Sequence, residues 1–243
     1  MARRRFFVPE VRRGLAELSG PDAEHLVRVL RVEPGQLFEL SDNRNVYLAE
    51  ITSARKSSVQ FCLLEQLPFP APSVHVTLVA ALIKFERFEW LIEKATELGI
   101  SVIQPMEATR SERGLAQASR KRSARWERVA REASEQSRRA HLPEIAPVLG
   151  FDEALEFAAR VRLLLDENPE APPILHTLPE ERSPEDRVAL LLGPEGGWTA
   201  EERQAALAAG WHACSLGGTI LRAETAALSA VAIIRAAWHQ PSS

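Results

Sequence analysis

Val188-Ala189-Leu190-Leu191-Leu192-Gly193-Pro194-Glu195-Gly196-Gly197-Trp198 is the stretch that decides how this chain is read. Five consecutive apolar residues predict a strand buried on both faces. The three glycines after them suit neither a helix nor a strand interior and mark a tight turn. Thr199 then caps a helix over residues 199–209. Further on, a second strand at 213–216 runs into a second glycine turn, Leu216-Gly217-Gly218. Thr219-Ile220-Leu221-Arg222-Ala223-Glu224-Thr225 follows directly. Ligands of parallel sheets bind at the carboxyl ends of strands. Two glycine turns at such ends predict a pocket built largely from backbone.

Outward from this stretch, apolar strands alternate with amphipathic helices. Strands are expected at 74–82, 100–103 (ended by Pro105) and 161–165. Helices are expected at 85–98, stopped by Gly99, and at 119–139, 151–160 and 224–238, with a proline-broken loop at 175–187. Phe88, Leu91, Ile92, Ala95 and Leu98 share one face of the first helix, and Trp126, Val129, Ala130 and Ala133 one face of the second. Near-continuous apolar strands separated by helices predict an α/β fold, a parallel sheet covered on both sides, over residues 73–243.

Upstream, Pro68-Phe69-Pro70-Ala71-Pro72 is a stiff linker, and the domain boundary belongs there. Residues 1–67 read as a small β-rich domain. A strand at 5–8 ends at Pro9, and one helix at 21–31 carries an apolar stripe of Leu26, Val29 and Leu30. Strands follow at 36–40, 46–53 and 58–64, separated by turns at Pro34-Gly35 and Asp42-Asn43-Arg44-Asn45. In the second of these, Val46, Leu48 and Glu50 alternate with Tyr47, Ala49 and Ile51. Short strands with turns between them predict a small barrel.

The 243 residues are 45% hydrophobic and 26% charged, ordinary globular composition. No apolar run reaches the roughly 18 residues of a membrane helix. The basic N-terminus has no apolar signal core behind it, so the chain reads as cytoplasmic, with no membrane partner. Cys62 and Cys214 lie in apolar runs without CxxC spacing or a neighbouring histidine and read as two buried thiols, with no metal. The net charge of −3 conceals a segregation: residues 110–141 carry ten basic residues against four acidic ones. Such a face suits a polyanion.

The first glycine turn lacks the Lys-Ser/Thr of a phosphate loop, and it is not GxGxxG. The acidic residue that would grip a dinucleotide ribose is also missing, because its position falls at Leu216-Gly217. What remains is a backbone turn that a flat ligand can approach closely.

Together, residues 188–198 and 213–228 resemble the paired signatures of the SPOUT class of S-adenosylmethionine-dependent RNA methyltransferases. The whole chain is similar to the RsmE family, the small-subunit ribosomal RNA uridine-N3 methyltransferases. The similarity rests on Arg5-Phe6-Phe7-Val8, the stretch from His25 to Arg31, Lys94-Ala95-Thr96-Glu97-Leu98-Gly99 and Arg110-Ser111-Glu112-Arg113. It continues through Glu132-Ala133-Ser134-Glu135-Gln136-Ser137-Arg138, the GPEGGW turn and Ile220-Leu221-Arg222-Ala223-Glu224-Thr225-Ala226. One position departs: Thr219 stands where the family usually has a basic residue.

The resemblance implies a PUA-like or OB-like RNA-binding barrel before a trefoil-knotted parallel-sheet domain. It also implies a homodimer with the active site at its interface. S-adenosylmethionine is the implied cofactor, and 16S ribosomal RNA, on the assembled small subunit, the implied partner. Its cradle is expected from Leu192, Gly193, Glu195, Gly196, Gly197, Leu216, Gly217, Ile220, Leu221, Ala223 and Thr225, with Asp166 and Glu167 nearby. Arg138, Gln136, Arg222 and Glu224 are the expected catalytic residues. A guanidinium stabilises a developing uracil anion, and a carboxylate accepts its proton. Arg3, Arg4, Arg5, Arg28, Arg31, Arg110 and Arg113 are expected on RNA. Ribose 2′-O methylation, and a non-catalytic assembly factor of the same fold, stay open as alternatives.

Overall fold

The computed structural model describes residues 4–168 and 170–239. The chain divides into two compact units, Met1–Pro70 with Arg131–Leu142, and Ala71–Ala130 with Pro143–Ser243.

The first unit contains β1 (Arg5–Phe7), β2 (Val11–Arg12), β3 (Leu15–Ser19), α1 (Gly20–His25), β4 (Leu37–Ser41), β5 (Val46–Arg55) and β6 (Ser58–Leu67). The strands form one sheet in the order β1-β4-β5-β6-β3-β2, with β1 parallel to β4 and the remaining pairs antiparallel. Phe6, Leu18, Leu26, Leu40, Ala49, Ile51, Val59 and Phe61 fill its core. The β2–β3 hairpin turns through Arg13 and Gly14, both at positive φ (49° and 77°). It was not expected, because its strands are only two and five residues long.

Two readings of this unit need correction. The expected helix at 21–31 is α1 followed by a π-helical turn, Leu26–Leu30, closed by left-handed Arg31. The wider winding carries Val29 off the core face, and it is 64% exposed. In β5 a register shift between Leu48 and Ala49 buries both, which interrupts the simple alternation. Residues 131–142 belong to this unit through side-chain bonds. Ser41 Oγ donates to the Ala140 carbonyl at 2.5 Å, and Leu142 N donates to Asn43 Oδ1 at 2.7 Å.

The second unit runs β7 (His75–Ala81), α2 (Phe85–Glu97), β8 (Val102–Glu107), α3 (Leu115–Ser119), α4 (Ser123–Gln136), β9 (Glu144–Ile145) and β10 (Leu149–Gly150). It continues with α5 (Phe151–Leu155), β11 (Val161–Leu165), α6 (Ile174–Thr177), β12 (Arg187–Leu192), α7 (Ala200–Ala208), β13 (His212–Cys214) and α8 (Ala223–Trp238). From Arg131 onward α4 counts with the first unit. Every strand pairing is parallel, in the order β10-β8-β7-β12-β11-β13, with β9 beside β8. This is the expected α/β class, and its strand order is compatible with a threaded C-terminal chain.

Both faces of the sheet are covered, which is why β12 is apolar at every position after Arg187. Val188, Leu190 and Leu192 join Phe88, Leu91 and Ile92 of α2, Trp126 of α4, and Val231 and Ile234 of α8. Ala189 and Leu191 join Val79, Leu164, Ala206 and Trp211 on the opposite face. At roughly 1.5–3 kcal/mol per buried large apolar side chain, these layers hold the strand ends in place.

Several expected boundaries shift, each for a local reason. Pro105 does not end β8. It falls between the residues that pair with β9 (Val102, Ile103) and those that pair with β10 (Met106, Glu107), where its missing N–H removes no outer bond. The basic helix expected at 119–139 is shortened to α4 (Ser123–Gln136), and a separate short helix, α3, ends at Ser119. Arg122 N donates to Ser119 O at 2.7 Å and Ser119 Oγ to Ala116 O, and this local bonding tightens the chain between α3 and α4. The helix expected at 151–160 stops at Leu155, whose carbonyl accepts the Trp211 indole N–H at 3.2 Å. The loop expected at 175–187 opens with α6. Cys214 is buried as expected, but Cys62 is only half-buried.

Candidate active site

A cavity of about 320 Å³ opens at the carboxyl ends of β11, β12 and β13, a volume in the usual range for small-ligand sites. All of its lining belongs to the second unit. Three loops supply most of it: Leu165-Asp166-Glu167 after β11, the GPEGGW turn after β12, and residues 215–223 after β13.

The first turn is held by contacts that only glycine permits. A Cβ on Gly193 would lie 3.0 Å from Trp198 Cε2, so the indole packs flat on the turn. That indole donates from Nε1 to the Leu165 carbonyl at 2.9 Å. Gly197 has φ 68°, and a Cβ there would lie 2.6 Å from Glu167 Oε1. Arg110 Nη1 donates to the carbonyls of Gly196 (2.8 Å) and Trp198 (3.2 Å).

Behind the turn, Thr199 and Glu202 form a capping box at the start of α7. The same buried Glu202 accepts the Thr109 N–H at 2.7 Å, which ties the loop after β8 to that cap. Burial by itself raises the Asp166 pKa. The Arg203 guanidinium at 2.5 and 2.9 Å, with the Asn168 N–H, outweighs it and holds the carboxyl below its ordinary value. The β11 loop is therefore pinned by an ionised carboxylate.

In the second turn, Ser215 Oγ accepts from Gly217 N at 3.1 Å. Ile220 is 86% exposed and Leu221 36%, so apolar side chains stand open at the cavity rather than in a core. Burial pushes the neighbouring Cys214 thiol up to about 12, which leaves it uncharged and unreactive.

Of the expected cradle, Leu192, Gly193, Glu195, Gly197, Leu216, Gly217, Ile220, Leu221 and Ala223 line the cavity, as do Asp166, Glu167 and the catalytic candidate Arg222. Gly196 and Thr225 are not in the lining. Gly196 packs instead under Arg110, whose Cβ would lie 3.2 Å from an added Cβ. Thr225 is exposed on the first turn of α8. Glu224 is also outside the lining and is buried, and its Oε2 has no partner among the described residues. Gln136 and Arg138 stand in the first unit. Both are exposed, Arg138 has φ 56°, and its Nη2 lies 2.5 Å from Glu39 Oε1.

Arg87 is the charged lining residue that was not expected from the sequence, and Leu165, Pro194, Ser215 and Ala226 join the lining as well. Arg87 projects from the first turn of α2, pairs with the Glu195 carboxylate, and has Nε 4.0 Å from Glu224 Oε1. It thus links the first glycine turn to the start of α8. The rule that exposed the glycine turns reaches it too, because α2 starts just beyond the carboxyl end of β7.

The basic residues separate into two groups. Arg4, Arg28, Arg31 and Arg113 are exposed. Arg5 is not: it is buried, donates twice to Glu39 Oε2 (3.1 and 2.8 Å) and once to the Arg138 carbonyl (2.6 Å). Its guanidinium is consumed by internal bonds, so the expectation of an RNA contact there is replaced by a structural tie. Arg110 is committed to the glycine turn as described. Arg3 lies outside the described residues. Among the described residues, no helix is long and apolar enough to cross a membrane, and no group of three His, Cys, Asp or Glu is arranged to hold a metal ion.

The second unit holds a parallel sheet with a backbone-lined cavity at its strand ends, and the first is a separate β-rich unit. Residues 70–235 match the RNA methyltransferase domain family, and residues 18–62 match the RNA methyltransferase PUA domain. The chain belongs to the family of ribosomal RNA small subunit methyltransferase E. It is 35% identical to the Synechocystis member over 97% of this chain and 78% of that one. It is 29% identical to the Bacillus subtilis member over 95% of each. Among solved structures, the Neisseria gonorrhoeae member bound to S-adenosyl methionine aligns over 98% of both chains, with TM-score 0.87 and 31% identity. A putative methyltransferase from Legionella pneumophila, in complex with the same cofactor, aligns over 98% of both chains with TM-score 0.89 and 28% identity.

Proposed function

We propose that this chain methylates N3 of a specific uridine in small-subunit (16S) ribosomal RNA, using S-adenosylmethionine. The observation that carries the reading is the cavity between the two glycine turns, in a chain similar along nearly its whole length to small-subunit ribosomal RNA methyltransferases. The residues present fit the cofactor. Gly193 and Gly197 bring bare backbone to the cavity, and Leu165, Leu192, Leu216, Ile220 and Leu221 offer apolar surface for a purine. When bound, the cofactor supplies an electrophilic methyl group on a sulfonium.

The remaining work falls to the chain. Neutral imide N3 is a poor nucleophile, so its proton must leave as the new N–C bond forms. Arg222, exposed at the cavity, stabilises the negative charge that spreads onto the uracil carbonyls. Glu224, buried behind the lining on the first turn of α8, is the candidate proton acceptor, with one unpartnered oxygen and Arg87 Nε 4.0 Å from the other. Gln136 hydrogen-bonds a uracil edge and Arg138 adds positive charge. Holding the two reactants aligned contributes several kcal/mol more.

Residues 1–67 serve as the RNA-binding domain and 73–243 as the methyltransferase domain, in a cytoplasmic homodimer whose active site lies between copies. Exposed Arg4, Arg28, Arg31 and Arg113, with the helix α4, give RNA affinity through phosphates. The test is incubation of undermethylated small subunits with labelled S-adenosylmethionine, then digestion to nucleosides. Labelled 3-methyluridine is the expected product. A 2′-O-methylated nucleoside, or no cofactor binding by calorimetry, sinks the reading.

A further inference from the structure

We infer that Arg110 is a positioning residue for methyl transfer: it clamps the first glycine turn from outside the cavity and so sets the seat of the cofactor, instead of serving as an RNA contact. The inference rests on the cofactor reading above and adds to it a residue that does not touch the ligand.

The clamp is built on the loop after β8. Ala108 N donates to Ser111 Oγ at 3.1 Å and Ser111 N to the Ala108 carbonyl at 3.0 Å, which closes residues 108–111 into a turn. Within it, Thr109 N donates to Oε1 of the buried Glu202 at 2.7 Å. Arg110 therefore projects from a fixed base. Its Nη1 reaches two carbonyls of the glycine turn, Gly196 at 2.8 Å and Trp198 at 3.2 Å. Its stem packs on Gly196, where an added Cβ would lie 3.2 Å from Arg110 Cβ and 3.4 Å from its Cδ.

These bonds fix two peptide planes at both poles. A peptide is rigid, so its carbonyl and its N–H turn together. In the peptide from Gly196 to Gly197, Arg110 holds the carbonyl, and the Gly197 N–H donates to the Pro194 carbonyl at 2.9 Å. In the peptide from Trp198 to Thr199, Arg110 holds the carbonyl, and the Thr199 N–H donates to Glu202 Oε2 at 3.0 Å. Between the two planes lies Gly197, at φ 68°, the residue with the least intrinsic restraint on its backbone. Neither Arg110 nor Glu202 lines the cavity, whereas Gly197 and Trp198 do. The segment that meets the ligand is thus gripped from behind, and its freest residue is the one that the grip brackets.

The test follows S-adenosylhomocysteine binding by calorimetry and, in parallel, methyl transfer to undermethylated small subunits. Arg110→Ala should weaken S-adenosylhomocysteine about threefold to tenfold, the range of one ordinary hydrogen bond. Its KM for subunits should stay at the wild-type value. Arg110→Lys keeps a charged donor and should recover part of the loss. Gly196→Ala leaves the arginine in place, crowds its stem, and should weaken the ligand in the same direction. A role in stability alone would lower the urea midpoint of Arg110→Ala at wild-type affinity. A phosphate contact would raise its KM for subunits and lessen the salt dependence, again at wild-type affinity. Either result overturns the positioning role and leaves the cofactor reading standing. A wild-type protein that binds no S-adenosylhomocysteine overturns the cofactor reading, and this inference with it.

Discussion

Trp198 donates its indole N–H to the main-chain carbonyl of Leu165 at 2.9 Å, and so fastens the turn after β12 to the end of β11. Both residues line the cavity, so the bond sets the spacing of two of its walls. Trp198→Phe keeps an aromatic ring against Gly193 but leaves the Leu165 carbonyl without its donor. Stability should fall by about 1–3 kcal/mol, the penalty for an unsatisfied buried acceptor. Urea denaturation measures this, and titration with S-adenosylhomocysteine should show weaker binding. Unchanged values in both would mean that the indole only fills space.

Gly197→Val tests the turn from the other side. At φ 68° a β-branched residue is strained, and its Cβ would intrude on Glu167 Oε1 at 2.6 Å. The variant should lose binding of S-adenosylhomocysteine while its far-ultraviolet circular dichroism stays native. Gly218→Ala is the matched control: an added Cβ there meets nothing within 4 Å, and binding should be close to wild type. Equal affinity in Gly197→Val would show that the ligand site does not depend on this turn or on the Glu167 side chain packed against it.

These two turns also mark how far the sequence reaches. Strand type and burial are written in runs such as 188–192, because a strand covered on both faces must be apolar at successive positions. The glycines are written as well: Gly197 and Gly217 sit at positive φ (68° and 123°), and at Gly193 the Trp198 indole leaves a Cβ no room. Arg87 and Glu167 were harder to assign, because what matters is where their ends go. Arg87 meets Glu195, 108 residues along the chain. Arg5 was misread for the same reason. An arginine beside others near a terminus looks like a phosphate contact, and only the buried Glu39 reveals it as internal. The break between α3 and α4 is equally hidden, because Ser119 carries no strong propensity against helix and acts through its own hydroxyl.

Glu39 offers a graded test. It is buried and pairs with Arg5, itself buried, and with Arg138, whose side chain is 40% exposed. Arg5→Ala strips a buried carboxylate of its enclosed partner and should destabilise the protein by about 3–5 kcal/mol. Arg138→Ala removes a solvent-screened partner and should lower stability by well under half as much. If Arg138 also serves the reaction, its alanine variant keeps normal affinity for S-adenosylhomocysteine and loses methyl transfer to small subunits. Unchanged turnover would remove it from the catalytic set.

The carboxylate of Glu135 carries a pH dependence in the same unit. Burial lifts its pKa from an ordinary 4.5 to about 7, opposed by the Phe7 N–H at 3.5 Å and by Arg131, and helped by Asp22 and Glu132. Between those two values the folded chain holds a proton that the unfolded chain has released. The unfolding free energy contributed by this group therefore falls as pH rises from about 4.5 to about 7, and levels off above. Glu135→Gln keeps an acceptor for the Phe7 N–H and removes the ionisation. It should stabilise the protein above pH 7 by about 1–3 kcal/mol and flatten its stability profile across that window. Urea midpoints at pH 5, 6, 7 and 8, roughly spanning the titration, decide the matter. A wild-type profile that rises with pH through this range, or a glutamine variant that runs parallel to it, would show that Glu135 is ionised in the folded chain throughout.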